Sequence, residues 1–180
     1  MDSLDGKVRV ATAWLGGCSG CHMSLLDMDE RLLDLAGRIE LCASPLTDCK
    51  DFPPVDVALV EGAVANEEHL AQIRRIRANA RVLVSFGDCA VTGNVPAMRN
   101  AYGIDDVLNE AYRTNTAVIV GVPEGNAVVP RLLARVRPVH EVVPVDLFLQ
   151  GCPPEADAIY ELLTALLDGR RPALEGRRFG

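Results

Sequence analysis

The stretch VRVATAWLGGCSGCHMSLLD, residues 8–27, decides the fold. Val8 to Leu15 is a continuous, partly β-branched run, and Gly16 and Gly17 end it. A run that is apolar on both faces belongs to a strand buried on both sides, and paired glycines close such a strand in a tight turn. Beyond Cys21, MSLLDMDERLLDLAGR sets Leu25, Met28, Leu32 and Leu35 at spacings of three and four. That period predicts an amphipathic helix, with Ser24 as its cap and Gly37 as its stop.

The same unit recurs along the chain. Ile39 to Ala43 reads as a short strand, DFPPVD as a loop, and Val55 to Val60 as an apolar strand ending at Glu61-Gly62. Asn66 is set to cap a helix running to about Asn79, with Glu67 and Glu68 at the positive end of its dipole. RVLVSFG is the strand before Cys89. Further on, the pattern predicts a short helix over Ile104 to Tyr112, a strand over Thr116 to Val122 and a short helix over Pro130 to Val136. Pro144 cannot donate to a ladder, so the next strand is expected to pair from Val145. From Pro153 the acidic and apolar spacing predicts a helix that Gly169 stops. Strands alternating with helices imply an α/β fold, a doubly wound and mostly parallel sheet with helices on both faces. Reactive groups in such sheets gather at the C-terminal ends of the strands. With no long linker or repeat, residues 1–180 read as one domain, 1–6 and 170–180 being tails.

Composition narrows the function classes. At 180 residues, 49% hydrophobic and 24% charged, the chain can bury a substantial core. Its formal net charge of -7 argues against a nucleic-acid partner, since phosphate binders concentrate Lys and Arg. The basic stretches Arg74 to Arg81 and Arg131 to Arg137 read as solvated helix faces. No segment reaches the roughly 18 consecutive apolar residues of a membrane span. MDSLDGKVRVATAW carries no twin arginine, apolar signal region or cleavage site, so a cytoplasmic protein is expected. In a reducing compartment its six cysteines are metal ligands or buried apolar residues rather than disulfides.

Four of those cysteines, Cys18, Cys21, Cys89 and Cys152, fall where a strand runs into a helix, as does Glu61. Cys18 and Cys21 alone also describe a thioredoxin-like dithiol, which leaves Cys89 and Cys152 without a role. Zinc ribbons take four cysteines but generally as two close pairs, whereas here one pair is joined by two distant singles. Three separated loops suit a larger body: a cubane iron-sulfur cluster needs a thiolate on each of four irons. It also needs close backbone approach, for which Gly16, Gly17, Gly20, Gly87 and Gly151 are placed. Zinc, a dithiol redox site and inert cysteines remain the alternatives at this point. Cys42, in an apolar strand, reads as a packing residue and Cys49 as a loop thiol. His22 is assigned to the second layer around the site or to the surface, His69 and His140 to structure, and Trp14 to packing or an interface.

The motifs GGCSGCHMSLLD, LVEGAV, FGDCAVTGNVP and QGCPP, in this order, resemble the small subunit of cytoplasmic nickel-iron hydrogenases, particularly the soluble NAD-reducing type. The resemblance covers nearly the whole chain. It implies a flavodoxin-like domain with one 4Fe-4S cluster on Cys18, Cys21, Cys89 and Cys152, against the nickel-iron centre of a separate large subunit. Electrons would pass to a diaphorase carrying flavin and further iron-sulfur clusters or, in a cytoplasmic hydrogenase of another type, to coenzyme F420 or another acceptor. The related cluster subunit of respiratory complex I has adjacent cysteines where this chain has CxxC. Membrane-bound hydrogenase small subunits add an export signal and a C-terminal region with further clusters. EGAV matches a motif beside the cluster, so Glu61 is read either as a proton relay or as a carboxylate bonded to backbone N–H groups. FMN is not expected in this chain, because the loop that binds it in this fold class is the one holding Cys18 and Cys21.

Overall fold

The computed structural model describes residues 6–49, 51–114, 121–123 and 128–174. Strand β1 (Val8–Trp14) is followed by helices α1 (Gly20–Leu26) and α2 (Arg31–Ala36), then β2 (Ile39–Ala43) and β3 (Val55–Glu61). Next come β4 (Val64–Asn66), α3 (Glu67–Asn79), β5 (Ala80–Phe86), α4 (Asp88–Thr92), α5 (Asn94–Ala97) and α6 (Ile104–Asn109). β6 (Leu132–Arg137), β7 (Leu147–Leu149) and α7 (Ala156–Leu167) complete the order. The main sheet runs β2-β1-β3-β5-β7, every pair parallel. Counting only its own strands, that is the flavodoxin-like order 2-1-3-4-5.

Both faces of this sheet are covered, which is why its strands read as unbroken apolar runs. On one face Ile73 and Ile76 of α3 pack on Ala11, Ala58, Val60 and Leu83. On the other, Met28, Leu35, Ile159 and Leu162 pack on Val10, Leu59, Val84 and Phe86. Each fully buried aliphatic side chain contributes about 1.5–3 kcal/mol. Asn66 caps α3 as expected, its Oδ1 accepting the His69 N–H at 2.7 Å. Among the described residues no helix is long and apolar enough to cross a membrane.

The structure corrects several expectations. The single helix after Cys21 is two, parted at Asp27–Glu30, where Asp29 takes a left-handed φ of 51°. Met28 is buried within the break, so the apolar period continues although the helix does not. Ser24 is no cap: it lies inside α1 and donates its hydroxyl to Pro154 O at 2.5 Å. The helix expected over Pro130 to Val136 is strand β6, antiparallel to β4, with Val64 opposite Arg137 and Asn66 opposite Leu132. Arg131 to Arg137 is therefore no helix face, and over so short a run arginine spacing does not separate the two periods. Most of the strand expected over Thr116 to Val122 lies outside the described residues. α7 begins at Ala156 rather than Pro153.

Pairing of the last strand begins at Leu147, two residues beyond Val145, because Asp146 substitutes for a ladder residue. Its N–H donates to Leu83 O at 3.0 Å and its carboxylate accepts the Leu83 N–H at 2.7 Å. Arg77, in the last turn of α3, donates to the same carboxylate at 2.5 Å. Burial by itself would raise the Asp146 carboxyl, but the hydrogen bonds from Arg77 and Leu83 outweigh it and hold it below the usual range. A depressed carboxyl stabilises the fold above its unfolded pKa and loses that contribution as pH falls. Asp146→Asn should cost about 1 kcal/mol at pH 7, discounted for a half-exposed pair. In urea unfolding, the gap to wild type should close below about pH 4.

Candidate metal centre

The sheet register sets the site. Trp14 is paired with Glu61, Glu61 with Phe86, and Phe86 with Leu149, so four strands end in one row. Cys18 follows β1, Cys89 opens α4 after β5, Cys152 follows β7, and Cys21 sits in the first turn of α1. The structure thus brings together all four cysteines that the sequence singled out. Burial pushes the Cys21 thiol up, and the charges of Glu61, Cys89, Cys18 and Cys152 push it further. Cys89 is raised by burial, then by Cys152 and Cys18. Cys21 is buried, Cys89 half-buried, and Cys18 and Cys152 exposed, so the group has a closed floor and an open mouth. Among the described residues no three Cys, His, Asp or Glu side chains converge on a position for a single metal ion.

Glycine is required where the backbone passes the thiols. At Gly87, φ is 82° and a Cβ would stand 2.1 Å from Cys21 Sγ. At Gly20 it would stand 3.2 Å from Cys18 Sγ, and the Gly20 N–H donates to that sulfur at 3.4 Å. Gly17 and Gly151 make room for backbone instead, against Gly62 and Pro154 respectively. Gly16 also faces backbone, pairing with Ala63.

Two further residues of FGDCAVTGNVP, neither given a role from the sequence, complete the geometry. Asp88 N–H donates to Gly151 O at 2.9 Å while Asp88 Oδ1 accepts the Gly151 N–H at 2.8 Å. This reciprocal pair clasps the Cys89 segment to the Cys152 segment. Asn94 Nδ2 donates to Cys152 Sγ at 3.4 Å. The signal for both was their position beside a cysteine turn, an acid at the start of a helix and an Asn after Gly93.

Glu61 is fully buried and its carboxylate takes three N–H groups. Oε1 accepts from Cys21 N at 3.4 Å, and Oε2 accepts from His22 N at 3.0 Å and from His22 Nδ1. His22 is itself buried, not on the surface, with the Trp14 and Phe86 ring centroids 5.2 Å and 6.0 Å away in T-shaped arrangement. His69 is half-buried, and burial lowers its pKa; His140 is exposed and packs edge-on to Phe148. Cys42 is half-buried and packs against the core, and Cys49 is exposed beside a cavity of about 500 Å³ that none of the four thiols lines.

Comparison with known proteins follows the same residues. The family described as NADH ubiquinone oxidoreductase, 20 Kd subunit, matches residues 18–166, from the first of the four cysteines to beyond the last. The NAD-reducing hydrogenase HoxS subunit delta of Cupriavidus necator is 47% identical over 173 residues, covering 92% of this chain and 81% of that protein. A subunit of the F420-non-reducing hydrogenase of Methanothermobacter marburgensis is 39% identical over 91% of this chain, which spans 54% of that longer relative. Among solved structures, a chain of an NAD+-reducing NiFe-hydrogenase in the H2-reduced state superposes with a TM-score of 0.93. The two are 43% identical over 97% of this chain and 99% of that one. By its sequence match and the arrangement of its strands, the chain belongs to the family of the NADH ubiquinone oxidoreductase 20 Kd subunit.

Proposed function

We propose that this chain is the electron-transfer small subunit of a cytoplasmic NAD-reducing nickel-iron hydrogenase, holding one 4Fe-4S cluster on Cys18, Cys21, Cys89 and Cys152. Its partners are a large subunit with the nickel-iron site and diaphorase subunits with flavin and further iron-sulfur clusters. The observation that carries the reading is the meeting of four thiols from three loops at one sheet edge. The four thiols come from the ends of three different strands and the helix after the first, and a 4Fe-4S cluster needs one such donor on each of four irons. Similarity favours the NAD-reducing type, at 47% identity against 39% for the F420-non-reducing relative.

Bound there, such a cluster takes up and gives back one electron at a time. The chain's own residues do the rest. The Gly20 N–H and the Asn94 amide are directed at the Cys18 and Cys152 sulfurs, where hydrogen bonds favour added negative charge. Burial sets a low dielectric around Cys21. Trp14, Met23, Val95 and Met98 are exposed on the segments that carry the thiols, and an apolar partner surface laid over them would exclude water from the open mouth. The loop after β1 is occupied by Cys18 and Cys21, so the flavin is assigned to a partner.

Cys89→Ser in the purified complex tests this directly. About four irons and four sulfides per chain should be lost while nickel stays, and one reduced-state paramagnetic resonance signal should vanish. Loss of one zinc with iron unchanged would replace the electron-transfer reading with a structural metal. Gly87→Ala should destabilise the chain by about 1–3 kcal/mol, because its backbone lies in a glycine region. It should also deplete the same iron, through the displaced Cys21 sulfur. Glu61 anchors the Cys18–Cys21 turn through its three N–H partners, and it is proposed to carry protons along the sheet edge as well. Glu61→Gln should then slow hydrogen turnover more than electron transfer to an artificial acceptor; equal, small effects would leave the anchor alone.

A further inference from the structure

A line of buried polar side chains runs away from the thiols. Glu61 accepts from His22 Nδ1, His22 Nε2 meets Thr12 Oγ1 at 3.0 Å, and Thr12 Oγ1 meets Ser44 Oγ at 2.8 Å. Ser44 Oγ in turn accepts the Leu46 N–H at 3.1 Å. His22, Thr12, Ser44 and Glu61 are all buried. The line links the turn that carries Cys18 and Cys21 to strand β1, to the row of strand ends, and to the loop after β2.

We propose that His22 is a positioning residue for the metal centre, locked by Glu61 and Thr12 so that it holds the Cys18–Cys21 turn against the sheet edge. The inference rests on the cluster reading above. A carboxylate only accepts, so the bond to Glu61 places a ring proton on Nδ1. In the neutral ring Nε2 is then an acceptor, and the Thr12 hydroxyl donates to it. The Thr12 oxygen is left to accept from the Ser44 hydroxyl, whose oxygen already takes the Leu46 N–H. In that tautomer the bonds run in one direction, from the Leu46 N–H to Glu61. Trp14 and Phe86, the neighbours of Glu61 in the row, set their rings edge-on to the imidazole and bar it from turning.

Both nitrogens of the buried imidazole are engaged, one by Glu61 and one by Thr12. With them engaged, Glu61 is oriented to receive the Cys21 and His22 N–H groups together. The Cys21 contact, at 3.4 Å, is the longest of the three, so a small rotation of the carboxylate breaks it first. Without the Thr12 hydroxyl, Nε2 loses its partner while still buried, and the ring gains reason to turn. The disturbance then reaches Cys21 through Glu61 with no ligand altered.

Thr12→Val keeps the shape of the side chain and removes only the hydroxyl, Thr12→Ser returns it, and His22→Asn keeps a donor where Nδ1 stands but nothing at Nε2. In the intact hydrogenase complex, the rate of iron loss to a chelator without oxygen and the reduced-state resonance signal of this chain are measured beside thermal unfolding. T12V should release this chain's iron about tenfold faster and alter its signal, as expected for the loss of a partner behind a ligand. H22N should follow T12V, and T12S should match wild type. Wild-type iron retention and an unchanged signal in T12V, whatever its melting temperature, would make His22 a packing residue and overturn the proposal. Failure of the cluster reading looks different: the wild-type complex would then lack the signal and the iron that C89S removes.

Discussion

Everything at the functional edge depends on the register of one hydrogen-bonded row. Trp14, Glu61, Phe86 and Leu149 stand opposite one another across β1, β3, β5 and β7, so the loops that leave these strands start at one level. Cys18, Cys89 and Cys152 come within four residues of the row, and Cys21 returns to it on α1. Backbone ladders between parallel strands covered by helices are stiff, because little water competes for their N–H and C=O groups. A slip in any pairing would move a thiol along the strand direction by about 3.3 Å per residue, far more than a metal–sulfur bond tolerates.

Precision beyond the ladder comes from short-range devices. The Asp88–Gly151 pair clasps two of the cysteine loops, Glu61 gathers the N–H groups of the third, and Gly87 leaves the space that Cys21 Sγ fills. Each is a polar or steric constraint in a place where hydrophobic packing, which is non-directional, fixes little. Burial of Glu61 and His22 is costly unless their polar atoms are engaged, and here every one of them is.

The same distinction separates what was legible in the sequence from what was not. Strands β1, β3 and β5 and helix α3 were readable because burial on both faces leaves unbroken apolar runs and because Asn66 announces its helix. The four cysteines were readable because each stands just beyond a strand-like run. The break between α1 and α2 was not, since Met28 stays buried across it and keeps the helical period intact. Nor was β6, whose partner β4 is distant in sequence and whose Arg135 and Arg137 point outward from a two-stranded ribbon. Asp88, Asn94 and Thr12 are small polar residues whose roles exist only in three dimensions. His22 was seen but placed too loosely, because a histidine beside a cysteine gives no sign of which strand its ring will face.

The asymmetry of the four thiols carries the last step. Cys21 lies on the floor, flanked by the Glu61 and His22 cage, while Cys18 and Cys152 stand at the surface with hydrogen-bond donors on their sulfurs. A group held there is insulated on the side of the sheet and reachable on the other. Because electron transfer weakens steeply with separation, the exposed mouth is the side from which a redox partner must approach. Trp14, Met23, Val95 and Met98 are exposed apolar side chains on β1, α1 and the segment after α4, and covering such surface with a partner is favourable in water. The sheet thus fixes where the thiols stand, the buried cage fixes how one of them is held, and the uncovered rim leaves open the face through which the chain does its work.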